Sequence, residues 1–136
     1  MTAKEYLKKA RYLDALINSE LRELERLKDL SRSISGSNFE QHYNPNRPSE
    51  APFAKWIGRI DEMEREINNH IDELVDLKTK IETAISQMEN PEEQVILRHR
   101  YIDGFSWELI GREMSISERT VRRIHGSALQ NFIVPE

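Results

Sequence analysis

A chain of 136 residues with 32% charged side chains, 7% aromatics and a formal net charge of −4 favours solvated helices over a thick globular core. It contains no cysteine, which excludes a disulfide framework, a thiolate zinc site and a cysteine nucleophile. The acidic balance excludes a polybasic coat. The opening "MTAKEYLKKARYLDAL" has no uninterrupted apolar run, so a cytoplasmic protein without signal peptide or membrane span is expected.

From Thr2 to Ser31 apolar residues fall three or four apart: Tyr6, Ala10, Leu13, Ile17, Leu24 and Leu27, with Leu7, Leu16, Leu21 and Leu30 widening the stripe. Lys, Arg and Glu fill the other positions, the pattern of an amphipathic helix. The next segment, "SRSISGSNFEQHYNPNRPSEAP", reads as a loop over residues 32–52, because serines, Gly36, asparagines and prolines break helical periodicity. Phe39 and Tyr43 are its two aromatics, available to dock elsewhere.

Phe53 to Met88 is the most regular stretch, with Ile60, Ile67, Leu74, Ile81 and Met88 recurring every seven residues. A second seam alternates between Ile57, Ile71 and Ile85 and the neighbouring Met63 and Leu77. Such a helix, roughly 50 Å long, needs an equally long partner. The first helix supplies one in an antiparallel hairpin. Self-association is compatible with that, and Ile60, Ile67, Ile71, Leu74, Ile81 and Met88 are its expected residues, with a dimer favoured. Residues 1–89 are thus expected to form a helical hairpin or coiled coil for oligomerisation or partner binding.

"MENPEEQ" starts a second domain, residues 90–136. Asn90 reads as an N-cap, Pro91 as the first helical residue and Glu93 as the far side of a capping box. A helix to about Asp103 is apolar at Val95, Ile96, Tyr101 and Ile102, and Gly104 reads as its left-handed C-cap. Two short helices follow. Ser106 caps the first, with Phe105 and Ile110 as a hydrophobic staple. Ser117 caps the second, with Ile116 and Val121 in the same parts. Between them "MSIS" leaves room only for a sharp turn, so the pattern is a tri-helical helix-turn-helix with Ile110, Gly111, Met114, Ile116, Val121 and Ile124 inward. A glycine inside a helix costs about 1 kcal/mol against alanine, so Gly111 points to a close approach by the second helix. That second helix presents Glu118, Arg119, Thr120, Arg122 and Arg123 in its first turns, where recognition helices read base edges. Ser106 and the helix N-terminus are natural phosphate donors.

The stretch "PEEQVILRHRYIDGFSWELIGREMSISERTVRRIHGSALQNF" resembles the region-four domain of bacterial sigma factors, which reads the upstream promoter element. With the preceding "IDELVDLKTKIETAISQM" it looks more closely like small phage regulators of the ArpU and RinA type, which are associated with switching on late or packaging genes. The resemblance implies base contacts from Glu118, Arg119, Arg122 and Arg123, and phosphate contacts near Ser106, Trp107 and Ser117. Trp107 and Gly126 depart from the family pattern. No sigma-like segments for promoter melting or core-polymerase binding are read before the domain, so a complete sigma factor is not expected.

The remaining residues carry no chemistry. His42, His70, His99 and His125 lack metal-ligand spacing, and Asp61, Glu62, Glu64 and Glu66 read as a solvated charge run. No nucleophile with a base and an orienting group stands out, so neither an enzyme nor a cofactor is expected. The expected fold is all-α, and the expected function is a DNA-binding transcription regulator of phage type. Its partners are double-stranded DNA, a second copy and, for activation, RNA polymerase. A terminase-small-subunit-like assembly protein and a polymerase-binding adaptor are the alternatives.

Overall fold

In a computed structural model of the chain, residues 1–40 and 51–136 are described, with side chains at 1–33 and 54–136. Every element among the described residues is helical: α1 (Ala3–Glu40), α2 (Ala51–Ser86), α3 (Pro91–Leu97), a π-helical turn (Arg98–Ile102), α4 (Trp107–Met114) and α5 (Glu118–Asn131). None of these helices is long and apolar enough to cross a membrane.

The first helix does not stop at Ser31 but continues to Glu40. Once a helix is nucleated each added residue gains a hydrogen bond, so serines weaken it without having to end it. At the other side of the expected loop, α2 already begins at Ala51, with Pro52 in its first turn. There a proline is harmless, because first-turn N–H groups lack intrahelical partners anyway. His42 and Tyr43 lie outside the described residues, as does the side chain of Phe39.

The chain divides into two compact units, and the division does not fall at residue 89. One unit joins Met1–Asp14 to Glu73–Glu136; the other is Ala15–Asp72. The first unit therefore contains the start of α1 and the end of α2 together with α3, α4 and α5. Ile96, Ile110, Val121 and Ile124 form its inner core, with Phe105, Trp107, Met114 and Ile116 packed against them. Leu7 and Ile81 are fully buried in the same unit, each stabilising it by roughly 1.5–3 kcal/mol relative to exposure. The Tyr6 ring lies 6.3 Å from that of Phe132.

Polar links bind the same parts. Arg11 Nη1 donates to the Arg100 carbonyl at 3.0 Å, and Lys78 Nζ donates to the Ile102 carbonyl at 3.0 Å. Both satisfy carbonyls in the π-helical turn, where intrahelical donors run out. Gln94 Nε2 donates to the carbonyls of Ile85 and Met88, fixing the step from α2 to α3. Glu93 is buried and accepts from Ser127 Oγ at 2.7 Å and from Asn131 Nδ2 at 2.9 Å, so the first turn of α3 holds the last turn of α5.

In the second unit α1 and α2 run antiparallel. Glu20 meets His70 at 2.7 Å, and further up α1 Lys28 meets Glu64 at 3.2 Å, further down α2. Ile17, Leu24, Leu27 and Ile67 are buried. The seven-residue seam is thus largely used within the chain: Ile67, Leu74 and Ile81 are buried and Ile60 and Met88 half-buried, whereas Ile71 of the second seam is exposed. Leu16, Leu21, Leu30 and Ile57 are also exposed in this unit, since two helices alone cannot cover stripes this wide.

Candidate nucleic-acid interface

The local sequence builds the bend between α4 and α5. The Ser106 side chain accepts from the Leu109 N–H at 3.2 Å and starts α4. At the other end Ser115 takes a left-handed conformation, φ 57°, and the Ile116 N–H donates back to the Gly111 carbonyl at 3.0 Å. A Cβ on Gly111 would lie 2.9 Å from the Ile116 carbonyl oxygen. The close approach that requires glycine comes from the turn itself, with the Glu118 nitrogen of α5 only slightly further away, at 3.6 Å. Ser117 then caps α5: its hydroxyl oxygen accepts from the Thr120 N–H at 3.1 Å and hydrogen-bonds the Thr120 hydroxyl at 2.8 Å.

Helical periodicity sorts α5 into two faces. Val121, Ile124, His125 and Ala128 are buried, whereas Glu118, Arg119, Arg122, Arg123 and Gly126 are exposed and Thr120 is half-buried. The three arginines therefore stand on one exposed face, just beyond the bend. They are not equivalent. Arg122 is held by Glu118, with Nη2 3.0 Å from Oε1, and its guanidinium lies 5.3 Å from the centre of the Trp107 ring. Among the described residues Arg119 and Arg123 have no carboxylate within ion-pair distance. These two have the least competition for an incoming anion or base edge.

Trp107 organises the neighbouring surface. The Arg100 guanidinium sits 4.1 Å from its ring centre, so the indole carries two cations. Arg100 Nη1 also donates to the Phe105 carbonyl at 3.1 Å, while its Nε is buried without a hydrogen-bond partner among the described residues. Burial, with Arg11 and Arg122 nearby, pulls its pKa below the ordinary arginine value. Behind the indole, the His125 ring lies 4.6 Å away edge-on, and its Nε2 hydrogen-bonds the Tyr101 hydroxyl at 2.7 Å. Burial first, then the charges of Arg100, Lys4 and Arg122, lower His125 to about 4, so at neutral pH it is an uncharged packing residue.

Two acidic side chains of the domain are engaged away from the Arg119–Arg123 ridge. Glu93 is buried, Asp103 pairs with His99, and the Arg98 guanidinium is drawn to Glu82. Along the exposed face of α5 three arginines stand against one carboxylate, Glu118, so this face is locally basic although the chain is acidic overall.

The residues to which the sequence points, Ser106, Trp107, Ser117, Glu118, Arg119, Thr120, Arg122 and Arg123, all lie along α4, the bend and the start of α5. Arg100 is not among them. Its "RHR" setting signals charge but not direction; in the structure Arg100 lies in the π-helical turn with its guanidinium over Trp107.

Residues 90–131 match the family described as Sigma-70, region 4. No curated protein and no solved structure matches the chain. The C-terminal part is thus a sigma region-four-like helix-turn-helix of DNA-binding type, and the long helices lie outside the match.

Proposed function

We propose that this chain is a sequence-specific, double-stranded-DNA-binding transcription regulator of phage or prophage type, an activator of late or packaging genes resembling the ArpU and RinA regulators. The observation that carries the reading is the exposed ridge of Arg119, Arg122 and Arg123 directly after the capped bend of a sigma region-four-like module. In this reading α5 enters the major groove. Arg119 and Arg123 read base edges; Glu118 and Arg122, already paired with each other, add contacts at the groove wall. Ser106, Trp107, Ser117 and Thr120, with Arg100, face the phosphates and set the register. No catalytic step and no cofactor are involved, and the protein acts in the cytoplasm.

A second copy would use the apolar residues that the long helices leave open, Leu16, Leu21, Leu30, Ile57 and Ile71. Two modules on one DNA would compensate for a modest affinity per copy. RNA polymerase is the further partner an activator requires. The same open residues favour, as a second reading, a ring-forming assembly protein like a small terminase subunit; light scattering distinguishes a closed ring from a dimer.

Selection of bound duplexes from a random pool tests the main reading. The wild type is expected to enrich one motif, palindromic if the dimer is two-fold symmetric. Arg119→Ala/Arg122→Ala/Arg123→Ala is expected to lose at least ~100-fold in affinity for it, given roughly 1–3 kcal/mol per bidentate arginine. Equal affinity of wild type and triple variant would remove the proposal.

A further inference from the structure

Glycine needs a reason inside a helix, since it is among the poorest helix formers. Gly104 and Gly111 have one: the first has φ +75°, and a Cβ on the second would meet the Ile116 carbonyl oxygen at 2.9 Å. Gly126 has neither. It lies within α5, away from both ends; its φ is not among the positive ones; and a Cβ added there would meet nothing within 4 Å. Open space alone decides nothing, because Gly58 in α2 is equally unhindered. What separates the two is register. Gly58 sits on a face of mixed charge with Lys55, Arg59 and Glu62, whereas Gly126 lies one turn beyond Arg122 and Arg123 on the exposed ridge of α5.

We infer that Gly126 is the seat of a DNA sugar–phosphate strand, where the missing side chain lets the strand press against the helix backbone. Three observations converge. Gly126 stands nine residues after the cap Ser117, about 13 Å along the axis, which is close to the width of a B-form major groove, so it reaches the groove edge when the start of α5 is inside. Arg122 and Arg123 flank it one turn back and Gln130 one turn on, which provides charge and a hydrogen-bonding group for a phosphate. No large apolar side chain of α5 is exposed, so the face has the character of a nucleic-acid contact and not of a protein interface. This inference rests on the DNA-binding reading above and adds a steric determinant to its charged ones.

The test uses the opposite signs that one methyl group should have on folding and on binding. In the full-length chain Gly126→Ala is expected to raise the Tm by about 5 °C through helix propensity. It should at the same time weaken binding to the selected duplex roughly tenfold, and Gly126→Leu should weaken it further. The loss should be equal on random-sequence DNA, because a strand seat carries no base preference. Gly58→Ala, the control, should raise the Tm and leave DNA binding unchanged. A more stable Gly126→Ala protein that binds DNA as tightly as wild type would overturn the inference, as would a lower Tm or a loss confined to a protein partner. A wild type with no DNA affinity would instead bring down the underlying reading, and the two failures are distinguishable.

Discussion

His125 and Trp107 show how much of the interface is decided by single side chains behind it. The imidazole fills space between the Tyr101 hydroxyl and the indole edge, and it is held neutral because burial and three nearby cations oppose its protonation. In the unfolded chain it titrates near its ordinary 6.5, against about 4 in the fold, so between these values the unfolded state binds the extra proton. The associated stability is present above about pH 6.5 and is lost as the pH falls toward 4. Thermal denaturation should therefore give a Tm that drops between pH 7 and pH 4.5, and His125→Gln should flatten that slope; an unchanged slope would assign it to other groups. Much at this scale was legible beforehand. The caps Asn90, Ser106 and Ser117 act through hydrogen bonds two or three residues away, and local sequence specifies such bonds. The role of His125 was not legible, because its partners Tyr101 and Trp107 are remote in sequence or on another element.

Among the elements, the helical run from Pro91 to Ile102 departs most from simple expectation. The sequence predicts a helix to about Asp103, but its last turn is π-wound, with the Asp103 N–H donating to the Arg98 carbonyl, and beyond it the Phe105 N–H donates to the His99 carbonyl. Periodicity cannot announce a π-turn, since one widened turn barely shifts the apolar pattern. The turn carries Arg100, and it depends on donors from elsewhere, Arg11 and Lys78. Hydrogen bonds from charged donors are worth about 1.5–3 kcal/mol when well shielded, and these are partly exposed. Arg11→Met with Lys78→Met is accordingly expected to cost roughly 1–3 kcal/mol in urea denaturation. The double variant should also bind DNA more weakly than its stability loss explains, as Arg100 loses its fixed carbonyl end. Wild-type affinity in the double variant would show that Arg100 is positioned without them.

For the molecule as a whole, the heptads and the helix-turn-helix were both readable, but the boundary between units was not. A composition change at "MENPEEQ" suggests a new domain at residue 90, yet the compact unit reaches back to Glu73 and takes in Met1–Asp14. Sequence shows where helices start; which helix ends share a core depends on contacts such as Tyr6 with Phe132, far apart along the chain. A truncation to residues 90–136 would lose Tyr6, Leu7, Arg11, Lys78 and Ile81 from its unit, leaving a piece near the size at which isolated cores fail. That fragment is expected to show poorly dispersed amide resonances and no cooperative thermal transition. A cooperative transition at the Tm of the full chain would mean that the helix-turn-helix folds by itself.

The buried carboxylate of Glu93 has an effect beyond the two side chains it touches. By tying the last turn of α5 to the first turn of α3, while buried Val121 and Ile124 seat the same helix in the core, it leaves that helix little freedom to roll about its axis or slide along it. The orientation of the arginines is then settled when the chain folds, so a duplex meets a preorganised surface and association bears less of the ordering entropy.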